Sequence, residues 1–427
     1  MPPRVPRVIN SESGTLSINY RLSELTSASE RAGLAGLILH VQHMSRLVNR
    51  RGVYQIRDLT ELGVTLEVDQ VGFSEAFADL FAMQVIEKRF SNPKRGVTVQ
   101  PKRIEEEEPG TNAKEGAKPK RWFIYDESVP VGSILSELPI PWINLYRDFM
   151  YYLYSKPPQR SKWFSGCTNV LAIKEFDLLV KGSKVRLDSS AMLGAQDSNA
   201  DGVAFHFEAK NLFLLRFWPL VAQLYRVQII KDLHKTPKLS YRDNEKGGMV
   251  AAIPDVMRLK SFCECFEDLL RDRRGSCDPQ GFLYDIPKGS IIQMNAESAI
   301  QFGIELDTSL SRLGRSPMAP VVSGFDVFHL KVKGQSISTT SKLRINPTPY
   351  QRDEYSKIRD AYWDVFFRRT LIQNLLDSKP WYFGFNRLFE TLPKSNILGD
   401  TSYFQHDARK AFESRGVSYA SSSKSDG

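Results

Sequence analysis

The residues best suited to chemistry are cations interleaved with aromatics near the C-terminus. Arg344 to Pro393 reads RINPTPYQRDEYSKIRDAYWDVFFRRTLIQNLLDSKPWYFGFNRLFETLP. Guanidinium and ammonium groups beside aromatic rings suit a phosphate chain with unstacked bases. Ile358, Ala361, Tyr362, Val365, Phe366, Ile372, Leu375 and Leu376 keep a 3.6-residue period, which predicts one long helix. Pro349 stands where that helix can begin, and Pro380 ends it. Lys357, Arg359, Arg368 and Arg369 fall largely off the apolar stripe, on the side left to meet an anion. Arg368 and Arg369 have a second possible use, pairing with Asp364 or Glu390.

Two further stretches carry similar groups. KPPQRSKWFSGCTN, from Lys156 to Asn169, places Lys156, Arg160, Lys162 and Trp163 close together. Its indole can stack on a base or turn into a core, and both readings stay open. SSAMLGAQDSNADGV, from Ser189 to Val203, presents the amides of Gln196 and Asn199, which can meet base edges or backbone. Taken alone it is a turn-rich connection.

Charge marks the same regions. The chain of 427 residues has a formal net charge of +9. From Lys331 onward there are 16 basic and 10 acidic residues, and from Ser91 to Arg121 there are 8 and 5. The remainder is balanced, so a neutral body carries basic appendages, as a polyanion partner would require.

Other chemistries lack their residues. There is no GxxxxGK[ST] or GxGxxG loop for nucleotides, and no nucleophile elbow. Cys263 and Cys265 are too close in sequence for a zinc knuckle, and six histidines are few for a metal centre. His40 and His43 read as packing residues, and His406-Asp407 is a lone dipeptide. No metal or cofactor is expected. The absence of a long apolar run and of a signal-like N-terminus, with only four cysteines, predicts a cytoplasmic protein.

The elements that must position these groups are mixed. Strands are predicted at Thr15 to Leu22, Tyr54 to Ile56, Val64 to Val68, Arg121 to Tyr125, Val203 to Phe207 and Met249 to Ile253. More follow at Phe282 to Ile286, Ile291 to Met294, Asp326 to Val332 and Ile337 to Ile345. Ser27 and Glu30 form a capping box before a helix through Val48, in which the glycines of AGLAG permit close backbone approach. Ser74 is read as the cap of a helix to about Phe90, Pro141 as a helix start, and Pro254-Asp255 as another. Without a regular βα repeat the class is α+β: an irregular mixed body over residues 1–345, a helical C-terminal region over 346–415, and a flexible tail over 416–427. Residues 91–120, rich in proline and charge, read as a flexible insertion.

Several strings resemble a known family. They are NYRLSELTSASERAGLAGLILHVQHM, SSAMLGAQDSNADGVAF, NLFLLRFWPLVAQLY, MVAAIPDVMRLKSF, YWDVFFRRTLIQNLL and KPWYFGFNRLF. In order and content they are similar to the large subunit of type I CRISPR Cascade complexes, the Cas-eight group, and within it the Myxan subtype. The resemblance implies a non-enzymatic part of an RNA-guided DNA surveillance complex. Such a subunit inspects the protospacer-adjacent motif, helps open the duplex, guides the displaced strand and docks an effector. Guide RNA, target DNA and the other Cascade subunits are the implied partners. These include backbone, 5′-handle-binding and guide-processing subunits, and a separate small subunit if the C-terminal bundle is truncated. The effector is a helicase–nuclease, or a transposition adaptor in a transposon-associated system. On this reading Gln196 and Asn199 contact duplex DNA or the guide's 5′ end. Lys156, Arg160, Lys162 and Trp163 contact phosphate or an unstacked base. Lys342, Arg344, Arg352, Arg359, Arg368 and Arg369 line a groove for the target or displaced strand. The alternative is a metal-dependent nucleic-acid-processing enzyme with an unrecognised active site.

Overall fold

A strand with alternate side chains buried opens the body. The computed structural model describes residues 8–10, 14–46, 50–81, 86–88, 122–124, 168–186, 206–227, 249–273, 291–315, 320–333, 336–399 and 403–422. Leu16, Ile18 and Tyr20 point inward from β2 (Thr15–Arg21), which pairs antiparallel with β1 (Val8–Asn10). Its other neighbour is β4 (Gly63–Val68), which also pairs antiparallel with β3 (Tyr54–Arg57).

The capping box is present at the start of α1 (Ala28–Met44). Ser27 Oγ accepts from the Glu30 amide at 3.1 Å, and the Glu30 carboxylate accepts from the Ser27 amide at 2.9 Å. Almost every side chain of α1 is buried. His40 and His43 belong to this packing, with His40 Nδ1 3.2 Å from the Tyr54 hydroxyl.

The next helix, α2 (Gln70–Phe81), begins earlier than the sequence predicts. Its cap is Asp69, whose Oδ1 accepts from the Gly72 amide at 2.6 Å. Ser74 lies inside the helix and donates to the Gln70 carbonyl. Instead of helix toward Phe90, Ile86–Lys88 forms strand β5, paired with β6 (Trp122–Ile124). The Ile86–Ile124 and Lys88–Trp122 pairings are non-local and override the local helical pattern.

The chain continues through α3 (Thr168–Lys181), the pair β7 (Lys184–Arg186) and β8 (His206–Glu208), and α4 (Ala209–Leu214). A 3-10 turn, Trp218–Leu220, leads to β9 (Gln223–Val227). Gly33 and Gly36 of α1 face the carbonyls of Leu214 and Phe217, so closely that a Cβ at either would overlap them. This is the close approach expected of the AGLAG run.

The main sheet has the order β11-β9-β10-β12-β13. Its members are β9, β10 (Met249–Val256), β11 (Ile291–Ile292), β12 (Val322–Lys333) and β13 (Ser336–Ile345). Only the β11–β9 pairing is parallel. Two helices pack beside it, α5 (Leu259–Arg273) and α6 (Glu297–Arg312), with Phe266, Phe302 and Phe325 in ring contact. Cys263 and Cys265 are buried free thiols, and burial pushes the Cys265 thiol up to about 11.

Pro254 and Asp255 do not start a helix. They remain in β10, where Pro254 opposes Phe325 and a bulge falls between Pro254 and Val256. A proline is tolerated where the ladder is irregular. The helix begins later because its free amides find a remote cap: Glu61 accepts from Leu259 N at 2.9 Å and from Ser261 N at 3.1 Å.

Asp255 instead becomes an ionic clip. It accepts from Arg31 at 2.6 Å, Arg344 at 2.6 Å and Ser323 at 2.6 Å, joining α1, β10, β12 and β13. Burial pushes its carboxyl up, but the hydrogen bonds from Ser323, Arg344 and Arg31 outweigh burial, and the net shift is downward from 3.8. Its stabilising contribution is therefore present above that ordinary value and is lost as pH falls through the lower native value. Asp255→Asn should cost about 3 kcal/mol at neutral pH, because Arg31 loses its counter-charge and Arg344 is left with Asp326 alone. Urea unfolding across the acid range should show the two proteins converging as the native aspartate is protonated. Parallel curves would mean the clip contributes nothing.

The C-terminal region comprises α7 (Pro349–Ala361), α8 (Val365–Leu376), α9 (Phe385–Thr391), α10 (Lys394–Leu398) and α11 (Phe404–Ser422). The single long helix predicted through Leu376 is two helices. The chain is extended at Tyr362, and Asp364 caps α8 by accepting from Phe367 N at 2.8 Å. Asp407 on α11, fully buried, accepts from the amides of Trp363 and Asp364 at 2.7 and 2.6 Å. The apolar period runs through this break because both helices feed one core, containing Tyr355, Ile358, Tyr362, Phe367, Leu371 and Phe404. At its far end α8 stops at Leu376, before Pro380, with Ser378 in the left-handed region. The last helix runs to Ser422, into the stretch read from sequence as a polar tail.

The architecture is α+β, with mainly antiparallel sheets and a largely helical C-terminal region. No described helix is long and apolar enough to cross a membrane. The expected insertion over 91–120, the helix after Pro141 and the strand at Phe282 to Ile286 lie outside the described residues.

Candidate nucleic-acid interface

A cavity of about 720 Å³ opens where the main sheet meets the C-terminal helices. Arg344 and Asn346 bound it at the end of β13, Asn295 at the N-terminal side of α6, and Gln351, Arg369 and Gln373 on α7 and α8. These groups come from separate segments, and the cleft exists only because the helices dock on the sheet edge.

Buried polar contacts hold its floor. Glu297 accepts from the amides of Gln293 and Met294 at 2.9 and 2.7 Å, which fixes the segment leading into α6. The Tyr355 hydroxyl donates to Glu297 at 2.9 Å and accepts from Gln301 at 2.8 Å, tying α6 to α7. Burial pushes the Glu297 carboxyl up, and the hydrogen bonds from Tyr355, Met294 and Gln293 offset only part of that. The Gln293 amide, set with its oxygen toward α8, accepts from the Arg368 guanidinium.

The predicted cations divide into groups. Arg344 and Arg369 come together at this cleft, and Arg368 reaches its floor through Gln293. Arg344 is held in place by Asp326 at 2.9 Å and by Asp255, which leaves it partly exposed in a fixed pose. Arg369 is exposed on α8. Lys342 is exposed on β13, with its ammonium 5.4 Å from the Phe328 ring centre. Arg352 pairs with Asp307 at 2.6 Å, packed against Gly303, and Arg359 pairs with Asp360 at 3.2 Å. Neither Lys342, Arg352 nor Arg359 lines the cleft. Arg368 and Arg369 thus face the sheet side, and the Asp364 side chain is used as a helix cap. Lys156, Arg160, Lys162, Trp163, Gln196 and Asn199 lie outside the described residues.

Sequence reasoning missed the amides. Asn295, Asn346, Gln351 and Gln373 share no local motif, and only the packing of α7 and α8 on the sheet gathers them. Chemically the cleft offers one fixed cation, Arg344, an exposed one, Arg369, and four side-chain amides that each make an internal hydrogen bond on one side. That combination can hold a phosphate and read a base edge. Among the described residues no cluster of His, Cys, Asp and Glu could hold a metal ion.

Comparison with known families assigns the chain to a class, the large subunits of CRISPR surveillance complexes. Residues 53–314 match the type I-B CRISPR Cas8b N-terminal domain, and residues 322–424 match the Cas8b C-terminal domain. The two matches cover most of the chain in order, and it belongs to the Cas8b family of type I-B systems. It is therefore a non-catalytic subunit of Cascade, a role that implies recognition of the protospacer-adjacent motif in RNA-guided DNA targeting. No curated protein matches the chain. The boundary between the matched regions falls between α6 and β12, so the C-terminal match begins within the main sheet.

Proposed function

We propose that the cleft bearing Arg344 and Arg369 grips DNA backbone beside the protospacer-adjacent motif. One observation carries this reading: two cations from remote segments meet in a cavity that also presents several amides. Arg344 supplies a fixed positive charge, Arg369 closes on phosphate from α8, and Asn295, Asn346 and Gln373 face the bases. The subunit then helps open the duplex and guides one strand over the helical region. Lys342, Arg352 and Arg359 are kept as weaker contacts along that route, since the last two are engaged in ion pairs. Lys156, Arg160, Lys162 and Trp163 are proposed to touch phosphate or an unstacked base, and Gln196 and Asn199 the duplex or the guide's 5′ end.

The Myxan subtype is supported by the quoted strings, inside the Cas8b family. The body over 1–345 and the helical unit over 346–415 are supported by an apolar cluster built mainly from the C-terminal helices, which Ile300 of α6 joins from the body. The protein acts in the cytoplasm, beside the subunits that hold the guide. Its outer surface recruits a helicase–nuclease, or a transposition adaptor where the system serves a transposon.

Arg369→Gln tests the proposal in the assembled complex. Affinity for target DNA should fall severalfold and evenly across sequences. The slope of log K against log salt should become shallower by about 0.9, one lost phosphate contact. An unchanged slope would remove Arg369 from the interface.

A further inference from the structure

A second cleft, of about 710 Å³, lies between α7, the end of α8 and α11. Its lining includes four basic side chains and one carboxylate, Glu354. That carboxylate is already spent: it takes Lys357 at 2.9 Å and Arg415 at 3.1 Å. Lys410 differs from the rest, because its ammonium donates to the neutral Ala361 carbonyl at 3.0 Å rather than to a carboxylate. Lys379 pairs with Asp377 at 2.9 Å, an exposed pair that an incoming anion can displace at little cost. The cleft is therefore electropositive.

It is also aromatic. Trp381 and the strongly exposed Tyr350 (67%) contribute rings, and Thr348, Ser378 and Ser414 contribute hydroxyls. Positive charge, flat rings and hydroxyls in a volume of this size fit one chemical class, a nucleotide. A metal ion would want carboxylates, and an apolar peptide would not want the cations.

We infer that this cleft binds a single unstacked nucleotide, its base against the rings and its phosphate at Lys410 and Lys379. Gln351 lines both clefts, and its amide donates to the Leu375 and Leu376 carbonyls at the end of α8. A strand leaving the first cleft therefore meets the second across one side chain. That path rests on the proposed use of the first cleft, whereas the nucleotide site stands on its own lining.

Photocrosslinking of the purified full chain tests this, with a decathymidylate carrying 4-thiothymidine and with thymidine 5′-monophosphate as competitor. Crosslinks are expected on the peptides bearing Tyr350 and Trp381. Tyr350→Ala should weaken binding of the single strand about tenfold. Lys410→Gln should make the salt slope shallower by about 0.7. Loss of the crosslink to micromolar monophosphate would identify a free nucleotide as occupant and still support the site. Persistence of the crosslink against monophosphate would identify the strand. Absence of crosslinks at these peptides, with affinity unchanged in Tyr350→Ala and Lys410→Gln, would overturn the inference, as it would if a protein partner fills the cleft. Arg369→Gln keeps the two ideas apart: if it weakens the strand while the second cleft stays silent, only the nucleotide site falls. If it has no effect while the crosslinks form, only the first cleft falls.

Discussion

Gly36→Ala is expected to lower the unfolding free energy by about 3 kcal/mol, and Gly33→Ala by a similar amount. The sign is the informative part. In an ordinary helix interior, glycine to alanine gains about 1 kcal/mol from the backbone. Here the new methyl would overlap the Phe217 carbonyl, or the Leu214 carbonyl in the case of Gly33. Neither neighbour is a flexible side-chain tip. Both are backbone, held by the 3-10 turn and by the hydrogen bonds from Phe217 N to Leu214 O and Leu220 N to Phe217 O. The helix must therefore move off, and α1 is the centre of the larger core, with Leu34, Leu37 and Ile38 fully buried. Urea denaturation of each variant checks this. A midpoint equal to or above that of the parent would show that the 214–217 segment yields.

Asp407→Ala should be comparably severe but confined to the C-terminal helices. The aspartate is fully buried and accepts from the amides of Trp363 and Asp364. Removing it leaves two backbone donors without an acceptor, which costs about 3 kcal/mol. Asp407→Asn retains one oxygen and should lose about half of that. Because Tyr355, Ile358, Phe367 and Phe404 form a cluster apart from the main core, loosening should stay local. Hydrogen exchange is the measurement: α7, α8 and α11 should exchange faster while β10 and β12 keep their protection. A uniform increase over both regions would show that the two cores melt as one.

What the sequence made legible was local. Ser27 and Glu30 meet within one helical turn, and the β3–β4 hairpin is closed by its own alternation. The AGLAG glycines announced a close approach, though not its partner, which is two carbonyls well along the chain. The errors arose where a remote group decided the outcome. The period from Ile358 to Leu376 is continuous, so nothing in it betrays the break at Tyr362, because the stop comes from Asp407. Pro254-Asp255 has the composition of a helix start, yet sheet pairing with Phe325 holds it in β10. The charge pattern singles out Arg344 and Arg369, which line the cleft, but not the amides beside them, since Asn295 and Gln373 become neighbours only after folding.

The clip at Asp255 has a bearing on how the chain is made. Arg31 precedes its acceptor by 224 positions, and Arg344 follows it by 89. On the ribosome, β10 emerges with the first arginine waiting and the second still to be synthesised. Until β12 appears, that strand also shows a bare hydrogen-bonding edge. The nascent body thus spends the interval with an open flank and a carboxylate short of its second arginine, the stage at which association with other nascent chains competes with completion.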